Sequence, residues 1–472
     1  MRPIPAPLAL LALLAGCTVG PNYAGPPQAA PKAPAFVRAS DAAAANAPVA
    51  HWWEALGDPV LNDLVTRALT ANPNIAVAEA RLRQARAAVR VEKANALPSA
   101  NAEAVYAHAH LPGVDFTGSN SGNSSTDLNL FNVGFDASWE VDLFGGQRRA
   151  IEAARAQAGA AEAKLADAQV SLSAEVVQAY VNLRDRQRRI DLSTHSVRMQ
   201  EQMLALTQQR YDRGTASRLD VTRLQNLLDS TRADIPPLNA ELEAYLDELA
   251  MLTGDAPGAL DDRLKTAQPI PLPPAQVAVG DPAALLQRRP DIRAAERTLA
   301  ADTAKIGQAE AARFPKLSFM GIIGLGGTSP SDLTKLDDFT LLAAPQISWN
   351  FLDFGRNKAK VIQAEGVRDE AEGQYHATVL AALRDAEDSL SRFRYRRITV
   401  ATLARAKAEA DEALALSEQR YKAGTSTLID LLDARRQQIA AEQNLSKAEA
   451  GLTGDFVAIQ KALGLGWGPA RS

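Results

Sequence analysis

The sequence predicts a mainly α-helical protein with a small β part. Its expected architecture is a tandem duplication of long antiparallel coiled-coil helices, with four transmembrane β-strands per chain. Three observations predict this fold class: landmarks that recur at a fixed spacing along the 472 residues, segments that alternate polar and apolar residues, and long heptad patterns without proline.

The duplication is visible in two pairs of similar segments. "QRYDRGTASRLDV", from Gln209, aligns with "QRYKAGTSTLIDL", from Gln419, at a spacing of 210 residues. Upstream, "NPNIAVAEA" from Asn72 resembles "RPDIRAAER" from Arg289, at a spacing of 217 residues. Because a repeat decides the architecture, each half is expected to contain one helix, two strands and two further helices.

The strands are predicted from period-two alternation. Between 130 and 141, apolar residues such as Phe131 and Trp139 alternate with polar ones such as Asp136. The four predicted strands cover about 99–112 and 126–142 in the first half, and about 316–326 and 339–352 in the second. Alternation of this length is typical of an outer-membrane strand, although a soluble sandwich with one wet face has the same pattern.

The longest helices are predicted from heptads. Val176, Leu183 and Ile190 begin a seven-residue series, and no proline lies between Pro112 and Pro236. An unbroken helix over 147–212 would be about 100 Å long, and 356–422 repeats the pattern. Each helix ends at a Gly-Thr turn, which predicts hairpin tips at about 213–217 and 423–427. Four strands cannot close a cylinder alone, and an open edge cannot face lipid, so several copies must assemble into a conduit.

The single cysteine, Cys17, is predicted to be a lipidation site. It follows the apolar run 8–15, which is shorter than the ~20 residues that span a bilayer but suits a signal peptide. Leu14-Ala15-Gly16-Cys17 resembles a bacterial lipobox, so Cys17 would carry an S-diacylglycerol and an N-acyl group, and Thr18 favours the outer membrane. The alternatives are an ordinary cleaved signal with an incidental cysteine, or a buried structural thiol.

The predicted segments are a signal peptide at 1–16, a lipidated leader and equatorial segment at 17–57, the first repeat at 58–253, a Pro-rich equatorial linker at 254–280, the second repeat at 281–463 and a C-terminal tail at 464–472.

Composition argues against other classes of protein. A net charge of −4 gives no basic field for nucleic acid. Five histidines and one cysteine provide no catalytic triad and no metal-ligand cluster, and no Gly-rich phosphate loop is present. His108 and His110 share a face of a predicted strand but lack a third ligand. We therefore expect no enzyme activity, no cofactor beyond the lipid on Cys17, and no nucleic-acid partner.

Four segments carry a family resemblance: "CTVGPNY" at 17–23, "WWEALGDPVLNDLVTRAL" at 52–69, "RRPDIRAAE" at 288–296 and "QRYKAGTSTLIDLLDA" at 419–434. They resemble the TolC-like outer membrane efflux protein family, and more narrowly its NodT-type lipoprotein branch, the outer membrane factors of RND-type tripartite pumps. The resemblance implies a homotrimer with a 12-stranded β-barrel continuous with an α-helical barrel. It also implies a location in the outer membrane, lipid-anchored and barrel-inserted, with the helices extending into the periplasm.

The function that this resemblance implies is a passive exit duct for drugs or other small molecules. Its implied partners are a periplasmic adaptor protein, an inner-membrane transporter of the RND or a related type, and outer-membrane lipid. One alternative is the same duct used for metal-ion efflux or type I protein secretion. An alternative of another class is a structural coiled-coil lipoprotein of the envelope.

Candidate site residues cluster at the hairpin tips. Asp430 and Asp433 are three residues apart and share a helix face; matching aspartates in the family ring the periplasmic aperture, where carboxylates favour cations. Asp220, the repeat partner of Asp430, is a further candidate. An ordinary N-cap or a solvated helix face explains the same spacing.

The turns themselves are predicted to dock the adaptor, because short turns of small residues allow another helical hairpin to approach closely. The docking residues are Arg213, Gly214, Thr215, Ala423, Gly424 and Thr425, although turn chemistry alone also accounts for the glycines. The family often has a cation just after the second Gly-Thr, where this chain has Ser426. Arg213, Arg218 and Arg420 are candidate substitutes for it.

Overall fold

The computed structural model describes residues 18–28, 35–39, 43–44, 49–112 and 125–467. Cys17 and parts of the predicted leader, at 29–34, 40–42 and 45–48, lie outside these ranges. The chain divides into two units, and each draws on both repeats. The first, here called the sheet unit, comprises Met1–Pro27, Leu82–Ala161 and Ala295–Tyr375; the second, the hairpin unit, comprises Gln28–Arg81, Glu162–Ala294 and His376–Ser472.

The elements follow the order helix, two strands, helix, helix in each half. The helices are α1 (Pro59–Ala71), α2 (Pro73–Asn95), α3 (Gly146–Asp212), α4 (Arg218–Ala233), α5 (Ile235–Leu252), α6 (Asp261–Leu264), α7 (Pro282–Arg288), α8 (Pro290–Ala311), α9 (Arg356–Lys422) and α10 (Leu428–Ala462). The long strands are β1 (Ser99–Pro112), β2 (Ser125–Val141), β3 (Lys316–Gly327) and β4 (Phe339–Ser348). Ala43–Ala44 and Val277–Ala278 form a short parallel pair.

The four long strands form one antiparallel sheet in the order β1-β2-β3-β4. The last strand ends at Ser348, four residues before its predicted end. Ser348 is paired with Lys316, the first residue of β3. The residue before it, Pro315, has no amide hydrogen to extend the ladder. Residues 349–352 therefore alternate like a strand but have no strand beside them to pair with.

The two longest helices, α3 and α9, contain 67 residues each. The return helix of the first hairpin is interrupted, because α4 ends at Ala233 and α5 begins at Ile235, with prolines in its first turn. In the second hairpin, α10 continues without a break for 35 residues. Proline fits the first turn of a helix but not its interior, which explains the difference.

None of the helices in the described ranges has both the length and the apolar composition needed to cross a membrane.

A buried arginine organises the core of the hairpin unit. Arg184 is 1% exposed and donates to the Tyr180 hydroxyl at 2.8 Å and to the Thr266 carbonyl at 2.8 Å. Tyr180 in turn donates to Asp58 at 2.6 Å, and Asp58 caps the N-terminus of α1. Since a buried guanidinium without partners is costly, this network holds the start of α1 and part of the linker against α3.

Candidate functional site

One face of the sheet is apolar and exposed. Phe135, Ile323 and Leu341 lie side by side on three neighbouring strands, and they are 61%, 42% and 70% exposed. The opposite face presents Asn101, Asp136 and other polar residues. A soluble protein rarely leaves such a continuous apolar surface in water, so this face requires an apolar environment.

Aromatic pairs bracket the apolar face. Tyr106 stacks on Phe131 with ring centroids 4.8 Å apart, and Trp139 stacks on Phe319 at 6.2 Å. Phe131 and Trp139 belong to the same strand, eight residues apart, which corresponds to roughly 26 Å of strand. Outer-membrane strands are tilted by about 40°, so this length rises about 20 Å through the membrane, close to the apolar band of about 25 Å that lies between two aromatic girdles. The face therefore has the dimensions of a membrane-facing surface.

The segment that follows Cys17 is held by a buried arginine of the same unit. Arg149, in the first turn of α3, is 2% exposed. It donates to the carbonyl oxygens of Val19 at 3.2 Å and Gly20 at 3.1 Å, and to the Asn22 side chain at 2.7 Å. The Val19 amide also donates to the Phe144 carbonyl at 3.1 Å. The leader is thus fixed at the junction between β2 and α3.

Close approach of the leader to α8 requires glycine. Gly20 has φ of +83°, and a Cβ built on it would lie 2.4 Å from Cα of Gly307.

The sequence did not indicate Arg149, because its partners lie about 130 positions away in the chain and share no local pattern with it.

The two hairpin tips have the same backbone design. Gly214 and Gly424 adopt φ of +74° and +71°. Thr215 and Thr425 follow them, and their amides donate to the carbonyls of Arg210 and Arg420 at 2.8 and 2.9 Å. Apart from its immediate chain neighbours, no heavy atom of the described chain lies within 4 Å of a Cβ built on either glycine. The glycines are therefore needed for backbone conformation and not for space, and the surface around them is open.

All six predicted docking residues are exposed, namely Arg213, Gly214, Thr215, Ala423, Gly424 and Thr425.

Asp220 and Asp430 each complete a capping box at the start of a return helix. Asp430 accepts from the Thr427 amide at 3.0 Å and hydroxyl at 2.8 Å, and from the Ser426 hydroxyl at 3.1 Å. Asp220 accepts from the amide and hydroxyl of Ser217 in the same way. These hydrogen bonds, from the hydroxyl first, hold the pKa of both carboxyls below their ordinary value of 3.8.

Asp433 has a different environment. It lies one turn further along α10, is exposed, and accepts from Arg436 at 2.7 Å. Asp433 and Arg436 line a groove of 590 Å³ between α4 and α10, together with Arg223 and Asp234. The structure thus separates the two predicted aperture residues: Asp430 is engaged in a cap, and the carboxylate of Asp433 is paired with a neighbouring cation.

An arginine that was not among the predicted candidates connects the two hairpins. Arg210 donates to the Tyr421 hydroxyl at 3.0 Å, and its guanidinium lies 5.5 Å from the centre of the tyrosine ring. Both residues belong to the repeated Gln-Arg-Tyr segments, so the repeat pointed to them without showing which arginine meets which tyrosine.

The histidines on β1 have neighbours on β2. His108 lies 2.8 Å from Asn129, and His110 contacts Asp127 at 2.5 Å. Within the described part of the chain, no group of three or more His, Cys, Asp or Glu residues is arranged to hold a metal ion.

The chain is similar to known outer-membrane proteins over nearly its full length. Nodulation protein T from Rhizobium leguminosarum bv. trifolii is 32% identical over 460 residues, 97% of this chain and 96% of the relative. Outer membrane protein OprJ from Pseudomonas aeruginosa is 32% identical over 476 residues, 98% and 96% of the two chains. The solved outer-membrane channel OprN is 34% identical with a TM-score of 0.88, covering 95% of this chain and 99% of that chain.

The family model for outer membrane efflux proteins matches residues 64–255 and 282–465. These two segments overlap the two sequence repeats, and together they span most of the chain. The NodT-like branch recognised in the sequence is confirmed by the relatives. This chain therefore belongs to the outer membrane efflux protein family and is an outer-membrane channel protein.

Proposed function

We propose that this protein is the passive exit duct of a tripartite pump that exports drugs or other small molecules. The observation that carries the proposal is the sheet: it has one apolar face of membrane dimensions and two unpaired edges within the described chain. An edge with unsatisfied amide and carbonyl groups is not stable in lipid. Copies of the chain must therefore pair edge to edge, and membership of the family supports three copies.

The partners in this proposal are a periplasmic adaptor and an inner-membrane transporter of the RND or a related type. The open surface around Gly214 and Gly424 supports adaptor docking at the hairpin tips, because a second helical hairpin can approach the backbone there without displacing side chains. The cargo passes through unchanged, and the transporter supplies the energy.

We propose two further roles. Asp430 and Asp433, with a contribution from Asp220, would favour cations at the periplasmic aperture of the assembled duct. Cys17 would carry the lipid anchor, next to the segment that Arg149 holds. The lipid would be a second membrane anchor besides the apolar sheet, and it would place the N-terminus of the mature chain beside the strand ends.

The test is retention of a fluorescent amphipathic dye in cells that lack other outer-membrane channels. Deleting this gene should trap the dye, and restoring it should clear the dye. A variant with Cys17→Ser serves as a control for the anchor, because the apolar sheet is expected to keep part of the protein inserted. Equal clearance with and without the inserted protein would contradict export of such compounds.

A further inference from the structure

The repeat inside the chain leaves one set of contacts incomplete. In the sheet unit, β2 of the first half pairs with β3 of the second half. The reverse joint, from β4 of the second half to β1 of the first, is absent from the described sheet, where these two strands form the edges. A repeat joined once within the chain can be joined again only by another copy.

The repeat holds for individual residue pairs. Ser99 lies opposite Ser138 in the first strand pair. Moving 217 positions along from Ser99 and 210 from Ser138 gives Lys316 and Ser348, which lie opposite each other in the second strand pair. The same spacings that align the sequence therefore also align the strand register.

Side-chain contacts at the strand ends follow the same rule. The Trp139 indole donates to the Ala96 carbonyl at 3.1 Å, and the Trp349 indole donates to the Arg313 carbonyl at 3.0 Å. Trp349 is 210 residues from Trp139, and Arg313 is 217 residues from Ala96. Two independent kinds of contact thus repeat with the same pair of spacings.

One contact of the existing joint has an exposed counterpart. Phe144 of the first half stacks on Phe314 of the second, with ring centroids 4.5 Å apart. The corresponding residues are Phe354 and Leu97, which are 92% and 65% exposed. Phe354 also has φ of +52°, a conformation that is unfavourable for a bulky residue. Its ring has no packing like that of Phe144, although its place in the repeat is the same.

We propose that β4 of one copy pairs antiparallel with β1 of the next, in the register that sets Ile347 opposite Ala104, and that Phe354 packs on Leu97 of the next copy. In the β2–β3 joint, Ala137 lies opposite Gly321. The residue 210 positions after Ala137 is Ile347, and the residue 217 positions before Gly321 is Ala104. The inference rests on the proposed assembly of several copies and adds the residue pairs that join them.

The register matches the exposed face of β4 in one copy to the same face of β1 in the next. It sets Leu341 opposite His110 and Pro345 opposite Tyr106, and all four residues lie on the face that carries the aromatic pairs. A slip of one residue would place each side chain on the wrong face. Pro345 lacks an amide hydrogen and donates no hydrogen bond in the sheet.

Paired cysteines test the register in the full chain within membranes. Opposed residues in an antiparallel pair have Cα atoms about 4.5–5.5 Å apart, which suits a disulfide. The test variant combines Ile347→Cys with Ala104→Cys, and the slipped control combines Ile347→Cys with Ala102→Cys. The test variant and the slipped control each replace an alanine of β1 on the same face of the sheet. Variants with one introduced cysteine show how much disulfide forms with Cys17.

A positive control exists within the chain. Ala137→Cys with Gly321→Cys reproduces the known joint, and a Cβ on Gly321 would have no neighbour closer than 3.9 Å. This pair should form a disulfide within a single chain. The Ile347/Ala104 pair should instead give covalent dimers and trimers, in about tenfold higher yield than the slipped pair, since diagonal Cα atoms are roughly 7–8 Å apart.

The outcomes separate the register from the assembly. Trimers of the wild type by native mass spectrometry, with disulfides favoured in the slipped pair or formed in neither pair, would overturn the register alone. Monomers of the wild type would overturn the assembly and with it the register.

A second measurement concerns Phe354. Phe354→Ala should lower the temperature at which trimers dissociate in detergent, because it removes a contact between copies. Leu336→Ala, a substitution at a residue that is 83% exposed and lies outside the joint, is the matched control. Equal dissociation temperatures for the two variants would overturn the packing of Phe354 on Leu97.

Discussion

At the scale of single residues, Asp430 shows how one carboxylate can combine two roles. Its Oδ2 atom accepts three hydrogen bonds from Ser426 and Thr427, which fixes the first turn of α10. The negative charge remains exposed at the surface. A substitution at this position can therefore change either the cap or the charge, and the two effects need separate variants.

Asp430→Asn should reduce the preference of the channel for cations while keeping an oxygen that can accept the hydrogen bonds of Thr427. Asp430→Ala should reduce the preference equally and also lower the thermal stability, because the half of the capping box that the Asp430 side chain supplies is lost while the Thr427 N-cap remains. Reversal potentials in a salt gradient measure the first effect, and the melting temperature measures the second. An unchanged reversal potential in Asp430→Asn would contradict the aperture role.

The pH dependence follows from the lowered pKa of Asp430. A carboxyl whose pKa is lower in the folded protein keeps its negative charge at pH values where an unfolded chain would begin to bind the proton. The charge stabilises the fold above the pKa of the unfolded state, and both the charge and this stabilisation are lost as the pH falls through the pKa of the folded state. In an Asp433→Asn background, cation preference should therefore persist at pH 4 and disappear only below the ordinary value of 3.8. Loss of the preference between pH 5 and pH 6 would contradict this assignment.

Arg149→Ala should release the leader from the start of α3. Its guanidinium binds two backbone carbonyls and one side chain of residues 19–22, and these groups would lose their partner. Limited proteolysis of the membrane-bound protein should then cut near residue 20 in this variant. Arg148→Ala, at the exposed neighbouring position, is the control. Equal resistance of both variants to cleavage would argue against a role of Arg149 in holding residues 19–22.

At the scale of elements, the long helices could be predicted from local pattern. A heptad series without proline specifies a helix over any length, and α9 begins and ends at the predicted residues. Strand ends depend also on the partner strand, which is why β4 ends earlier than its alternation indicated. The break between α4 and α5 coincides with Pro236 and Pro237, which lie in the first turn of α5.

The contacts between elements were less predictable. A helix cap near Asp430 could be expected from the Ser-Thr-Leu-Ile-Asp segment, because a cap is local; the structure makes Thr427 the N-cap and Asp430 its capping-box partner. The contact between Arg210 and Tyr421 joins two hairpins 211 positions apart, and several arginines in the repeat were equally good candidates. Sequence periodicity identifies an element, but the choice among similar long side chains depends on how the elements pack.

Tyr421→Phe should loosen the connection between the two hairpin tips. It removes the hydrogen bond from Arg210 and keeps the ring against the guanidinium, so the change is limited to one polar contact. If this contact restrains the tips, the single-channel conductance should rise. Tyr211→Phe, the same change in the first hairpin, is the matched control. Equal conductance in wild type and Tyr421→Phe would contradict a restraining role.

At the scale of the whole molecule, the duplication explains why one chain is an incomplete channel. The two halves repeat the same strands, the same tryptophan contacts and the same tip geometry. A single chain can satisfy only the contacts from its first half to its second. The apolar face and the free strand edges of the sheet are consequently exposed in one chain and require lipid and further copies of the protein.

Conductance of the purified wild-type protein in a planar lipid bilayer tests whether the assembled protein is a channel. We expect discrete conductance steps and a reversal potential that shows a preference for cations, at protein concentrations where native mass spectrometry detects trimers. Folded, trimeric protein that inserts into the bilayer and produces no conductance steps would contradict the assignment as a channel.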